Sequence, residues 1–311
     1  MKTRKYSQYS TPNTRHSSLV TPHSSLIVIC SLLFTLLISC QSTPRVPEAF
    51  MEDAKNAPLN TGGTVYIFAN VKAARPIIEL LPIEELKDSQ TKQMLDKTNY
   101  FAGAIYPPSS GRRFQIAAWG NYPSSQAGFA LSVNRNWKQY RSDSGQSYWH
   151  SEENQLSILI NSKQAYIVSS LNSSPVDPSA AMPGIEIPEG FNAFRQDAPI
   201  SFWVENPITS IQRVLVESGL PIQFPVQQFF INLFTAEGGK YEAAIRFRLE
   251  NNSQARGMVS ILNLAGAFAS NDPLVKILLT NPAVQDGRYV GIKTSPLTES
   301  EIVNIFNIFL R

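Results

Sequence analysis

Residues 26–39, Leu-Ile-Val-Ile-Cys-Ser-Leu-Leu-Phe-Thr-Leu-Leu-Ile-Ser, form a charge-free and mostly apolar run that decides where folding can begin. A Ser/Thr-rich stretch with Lys2, Arg4, Lys5 and Arg15 and no acid precedes it. A basic region followed by a short apolar core is the order of a secretory signal. Fourteen helical residues reach about 21 Å, short of the roughly 30 Å hydrocarbon core, so a spanning helix is disfavoured. No later stretch is both long and charge-free enough to span a bilayer, so the body is expected to be soluble and to fold after this segment.

The run ends on Leu37-Ile38-Ser39-Cys40. A thiolate is the side chain able to take a diacylglyceryl group as a thioether. A small residue before it lets a peptidase reach the scissile bond. The four residues resemble the lipobox of bacterial lipoproteins, and with the weakly charged body they are similar to spirochaete-type members. The resemblance implies cleavage before Cys40, lipid on Cys40, and a membrane partner held through that lipid. One acyl chain anchors marginally, whereas two or three hold firmly at about 0.8 kcal/mol per buried CH₂. An ordinary cleaved signal with a chance cysteine, or an uncleaved signal-anchor, are the alternatives. Gln41 stands where inner-membrane lipoproteins often carry Asp, so the resemblance favours the outer over the inner membrane of the envelope. Cys30 would leave with the signal.

The net charge of +3 misrepresents the body. Four of the 27 basic residues lie before Cys40 with no acid, leaving 23 basic against 24 acidic residues. A near-neutral body offers no footprint for nucleic acid, so none is expected as a partner. Both cysteines are N-terminal, which excludes an internal disulfide, a thiolate metal site and a cysteine nucleophile from the body.

Segmentation follows from composition. Residues 1–39 read as the signal and 40–61 as a lipidated N-terminus and tether, polar and proline-bearing in Gln41-Ser42-Thr43-Pro44-Arg45-Val46-Pro47. Residues 62–171 and 197–311 read as two α+β domains joined by a linker over 172–196, where Pro175, Pro178, Pro183 and Pro188 oppose helix and central strand. Strand-like runs at Val65–Asn70, Tyr100–Tyr106, Arg113–Trp119 and Ala165–Ser169 match runs at Ile200–Asn206, near Phe234, at Tyr241–Leu249 and at Arg288–Ile292. The alternation of Tyr241, Ala243, Ile245, Phe247 and Leu249 is a clean period of two. A helical pattern follows the first strand of each half, through Ala73, Ile77 and Ile78 and through Ile208, Ile211 and Val214. A second helix starts at Ser125-Gln126-Ala127 and at Ser253-Gln254-Ala255. The expected class is α+β, antiparallel sheet with helices on one face. The repeated β-α-β-β-α-β order is that of two tandem ferredoxin-like repeats, with two unrelated α+β segments as the alternative.

Chemistry is hard to find. His150 is the single histidine after Cys40, too little for a metal site or for a triad without partners. Asp143-Ser144-Gly145 reads as a hairpin loop rather than a nucleophile. Glu84-Glu85 and Glu152-Glu153 are adjacent in sequence and so diverge in space. Gly62-Gly63 and Gly238-Gly239 lack the spacing of phosphate loops. Trp119 and Trp203 sit in strand runs where core packing is the default. Tyr148, Trp149 and His150 form one local cluster worth testing for ligand contact. No catalytic, cofactor or metal residue is assigned.

The expected function is therefore a non-catalytic envelope lipoprotein that binds something or serves a structural role, and not an enzyme. Two alternatives belong to other classes. One is a hydrolase whose carboxylates meet only in the fold. The other is an assembly component, docking on a protein partner or dimerising through the apolar helix 298–310, which Thr298 and Glu301 open with a capping box.

Overall fold

The computed structural model describes residues 56–57, 59–80, 92, 95–171, 174–180, 184–195, 198–205, 225–265 and 281–310. In chain order the elements are β1 (Asn56–Ala57), β2 (Val65–Asn70), α1 (Val71–Ile78), β3 (Thr98–Ile105), β4 (Arg112–Gly120), α2 (Ser124–Val133), β5 (Lys138–Arg141), β6 (Ser147–Ser151), β7 (Leu156–Ile160) and β8 (Gln164–Ser170). The second half adds β9 (Ile185–Glu186), α3 (Glu189–Arg195), β10 (Ile200–Glu205), β11 (Val226–Thr235), β12 (Tyr241–Leu249), α4 (Asn252–Ala265), β13 (Val284–Asp286), β14 (Tyr289–Lys293) and α5 (Glu299–Leu310).

Twelve strands form one sheet in the order β13-β14-β12-β11-β10-β2-β3-β4-β8-β7-β6-β5. Every neighbouring pair is antiparallel. The two expected units thus meet along the β2–β10 pair, where Trp203 faces Tyr66. In each half the described strands pair as a meander: β2-β3-β4-β8 on one side, β10-β11-β12-β14 on the other. A ferredoxin-like repeat needs parallel strands in a split βαβ unit, and among the described residues these halves have none. β3 begins beside the end at which β2 stopped, with Tyr100 opposite Asn70, and so runs antiparallel to it.

One row of side chains shows why the sheet is continuous. Trp149, Ile158, Ile167, Ile116, Gly103, Ile67, Phe202, Ile231, Ile245 and Ile292 stand opposite one another across ten strands. β-Branched and aromatic residues suit a pleated, buried face, and this face carries α1, α2, α4 and α5. Val71, Ala74, Ile77 and Ile78 of α1, with Ala255, Met258 and Leu262 of α4 and Ile302 of α5, share a core with β10, β11, β12 and β14. Leu131 of α2 packs with Trp149, Ile158 and Ile167.

Local signals place these helices. Asn70 caps α1, its Oδ1 accepting from Ala73 N at 3.3 Å. Asn251 Oδ1 accepts from Gln254 N at 3.0 Å at the start of α4. Before α5, Thr298 N donates to Glu301 Oε2 at 2.8 Å, and Glu301 N donates back to Thr298 Oγ1 at 3.4 Å, the expected capping box.

The opposite face is covered by the proline-bearing crossover. Ile185, Ile187 and Phe191 pack with Leu59, Tyr66, Phe68, Trp203 and Phe230. α3 is therefore a short helix on the face away from the other four. β1 pairs with β9 as a separate two-stranded ribbon on this side. The sheet ends at β5, where Lys138, Gln139 and Arg141 are exposed, and at the three-residue β13.

Candidate functional site

Cys40 lies outside the described residues, as do Glu84-Glu85 and the helical pattern through Ile208, Ile211 and Val214. The other sequence-predicted site residues fall on β6. Successive strand side chains point to opposite faces, and Tyr148, Trp149 and His150 obey this. Trp149 packs on the helix side, so close to α2 that a Cβ on Gly128 would lie 3.1 Å from its ring. His150 belongs to the crossover side, only 1% exposed, with Nδ1 3.0 Å from Ser157 Oγ. That hydroxyl also accepts from Val176 N at 3.2 Å and so ties the crossover to β7. Tyr148 stacks on Tyr140 at 5.7 Å. Burial, and then the charge of Asp177, raises the Tyr148 hydroxyl above its ordinary pKa. These three residues do not converge on one surface.

The hairpin expected at Asp143-Ser144-Gly145 joins β5 to β6. Ser142 N donates to Gln146 O at 2.8 Å, and Gly145 takes φ 81°, where a side chain would be strained. Glu152 pairs with Lys138 at 2.8 Å on the surface, while Glu153 accepts from Asn136. The pairing holds Glu152 below and Lys138 above their ordinary pKa values.

Sequence reasoning passed over a buried polar joint where the chain enters the fold. Asn60 N donates to Gln115 Oε1 at 2.8 Å, and Asn60 O accepts from the hydroxyls of Tyr66 at 3.2 Å and Tyr106 at 2.9 Å. Gly63 N donates to Tyr66 Oη at 2.9 Å, and a Cβ on Gly63 would lie 2.8 Å from that ring. Desolvation raises the pKa of both phenols. Leu59 beside them is fully buried. The only sequence signal was Gly62-Gly63 as a turn. Nearby on the same face, Gln228 Nε2 donates to Glu205 Oε1 at 2.9 Å, and Arg248 Nη1 donates to Gln228 Oε1 at 2.7 Å. Desolvation raises the Glu205 carboxyl, with Gln228 and Arg248 opposing it. Among the described residues there is no group of three His, Cys, Asp or Glu able to hold a metal ion.

The helix-covered face presents the other unusual feature. Phe129 and Val133 on α2 are 68% and 63% exposed, and Leu264 and Ile261 on α4 are 65% and 37% exposed. Each helix follows the third strand of its half, and the matched Ala127 and Ala255 are both buried. Ala127 and Ala255 thus take equivalent inward positions, while Val133 and Ile261, each nine positions past the start of its helix and 128 residues apart, both face outward. Phe129 and Val133 lie one helical turn apart, as do Ile261 and Leu264, so each helix presents an apolar strip on its outer side. Among the described residues, no helix is long and apolar enough to cross a membrane.

The family model of the outer membrane-associated lipoprotein TP0453 matches residues 59–255. Crystal forms III, I and IV of TP0453 resemble this chain with TM-scores of 0.55, 0.54 and 0.56 at 14%, 15% and 16% identity. The likeness covers 80%, 80% and 82% of this chain and 95%, 96% and 98% of those chains, and at such identity it concerns the fold alone. No curated protein sequence matches. The family match begins at the buried Leu59, takes in the β2–β10 seam and ends within α4, more than half of the 311 residues. The chain belongs to the TP0453 family of outer membrane-associated lipoproteins, a spirochaete-type envelope protein.

Proposed function

We propose that this protein is a non-catalytic lipoprotein, held at the outer membrane by acyl chains on Cys40, whose body makes additional apolar contact with the bilayer through α2 and α4. The observation that carries it is the outward exposure of Phe129, Val133, Ile261 and Leu264 in a chain whose family associates with the outer membrane. Burying a side chain of this size contributes about 1.5–3 kcal/mol, so one helix alone binds weakly. The anchor compensates by confining the body near the surface, where a tethered second contact experiences an effective concentration of about millimolar. The non-catalytic reading is supported by the use made of the perturbed groups: Glu205 accepts from a glutamine backed by Arg248, and Tyr66 and Tyr106 hold backbone atoms of the entry segment.

The test has two arms. Cys40→Ala is expected to leave an unacylated precursor that no longer partitions into detergent. The chain from Ser42 onward, without lipid, is expected to float weakly with phosphatidylcholine–phosphatidylglycerol vesicles, and Phe129→Ser with Leu264→Ser is expected to abolish that flotation. Unchanged detergent partitioning of Cys40→Ala would refute the anchor, and unchanged flotation of the double variant would refute the apolar contact.

A further inference from the structure

The two halves of the sheet correspond position by position about the pair Ile67 and Phe202. Gly103 matches Ile231, and Ile116 matches Ile245. One residue back in each half, on the crossover face, Tyr66, Ala104 and Gln115 form one row and Ser201, Asn232 and Ala244 form the other. The first row grips a backbone amide of the chain itself: Asn60 N donates to Gln115 and Asn60 O accepts from Tyr66. The second row is roofed instead by the last turn of α3, where Asn232 Nδ2 donates to Phe194 O.

Two polar groups in that second place are short of partners. Asn232 is fully buried, and its Oδ1 has no hydrogen-bond partner among the described residues. A buried acceptor left so is costly. Arg195, in the same turn of α3, lies over Phe68 with Cζ 5.0 Å from the ring centroid, and Phe68 stands directly opposite Ser201. The Arg195 side chain is half-buried, and its Nε donates to Asn192 Oδ1 at 2.9 Å. Desolvation lowers its pKa with no acid opposing it, and no described carboxylate pairs with it. The guanidinium stays charged, and its Nη groups present further donors in a planar fork. Cations withdrawn from water in this way are ordinarily paired with an anion.

A fork of unpaired donors and an orphaned acceptor, with the Ser201 hydroxyl between them, are satisfied together by one kind of guest: an oxyanion that also carries an O–H. We infer that Arg195, Ser201 and Asn232 form a binding site for a small soluble anion of this class, such as hydrogen phosphate or a hydroxy carboxylate. The anionic oxygens accept from the Arg195 fork, and the O–H of the ligand donates to Asn232 Oδ1. The site lies on the face away from Phe129 and Leu264, so it is independent of the bilayer contact.

Isothermal titration of the full lipidated chain in non-ionic detergent, at pH 7 and constant ionic strength, tests this. Sodium phosphate and lactate are the hydroxyl-bearing probes; sulfate and acetate are their counterparts without a hydroxyl. Saturable binding of phosphate or lactate is expected, at least five-fold tighter than that of its counterpart. Arg195→Met, which keeps an apolar stem over Phe68, is expected to weaken binding at least ten-fold. Arg195→Lys keeps the charge but gives up the fork, and a comparable loss there tests the site even if the Met variant does not fold. Arg288→Met removes an exposed guanidinium over Tyr289 and is expected to change affinity less than two-fold. No saturable binding of either hydroxyl-bearing probe, or equal losses at Arg195 and Arg288, overturns the site. Equal affinity for the probes with and without a hydroxyl overturns the part given to Asn232.

Discussion

Tyr66 and Trp203 stack across the seam between the two halves of the chain, ring centroids 4.6 Å apart and planes 26° from parallel. They face one another in register on β2 and β10, and Phe191 of the crossover closes over Trp203 at 6.1 Å. This pair fastens both halves and the crossover at one point.

Trp203→Ala is accordingly expected to destabilise the protein by about 3–5 kcal/mol, the usual cost of removing a buried large aromatic. Urea unfolding followed by circular dichroism checks it. A loss below about 1 kcal/mol would mean that the seam is not a central contact.

Gly120, at the end of β4, has no room for a side chain, since a Cβ there would lie 2.0 Å from Lys97 O. The clash is with backbone, so relief requires moving β3 or β4. Gly120→Ala should cost about 1–3 kcal/mol, read as a lower thermal midpoint, whereas Gly103→Ala, with its nearest atom at 3.6 Å, should cost less.

Ser157→Ala removes the hydroxyl that Val176 N and His150 share. A buried donor left without a partner costs about 1–3 kcal/mol, and the loss falls on the crossover. Limited proteolysis is expected to cut near residues 174–180 several-fold faster than in the wild type, with the rest of the sheet unaffected.

The raised carboxyl of Glu205 gives a pH signature. Because burial places its folded pKa above the unfolded one, the native state binds the proton more tightly. Stability from this group is complete below the unfolded pKa and is lost as pH rises through the folded pKa. Glu205→Gln, which keeps an oxygen for Gln228, should be more stable than wild type at pH 7 and match it near pH 4. Parallel denaturation curves across that range check the sign.

The strands most visible in the sequence were β2, an unbroken apolar run buried on both faces, and β12, whose alternation runs its full length; both span the very residues the sequence marked. The short β5, Lys-Gln-Tyr-Arg, has no such pattern because it is a polar edge, and only the Asp-Ser-Gly turn beside it announced a hairpin. In the crossover, four prolines concealed Ile185 and Ile187, whose burial against Tyr66, Trp203 and Phe230 depends on distant partners. Pairing order was illegible for a similar reason. Periodicity reports which face a residue takes, not which strand lies next to it. The same rule dissolved the apparent cluster at Tyr148, Trp149 and His150, which a strand must divide between its two faces. The entry joint at Asn60 was hidden because its bonds reach Gln115 and Tyr106, 55 and 46 residues away.

The two ends of the sheet have a further consequence for a protein crowded onto a surface. Confinement to two dimensions makes collisions between copies frequent, and an open strand edge invites edge-to-edge growth. Here one margin presents Lys138 and Arg141 and the other offers only three residues before a tight turn. Neighbours meeting side by side find solvated charged side chains or too little ladder to zip together. Margins of this kind keep so wide a sheet from becoming the seed of a fibre.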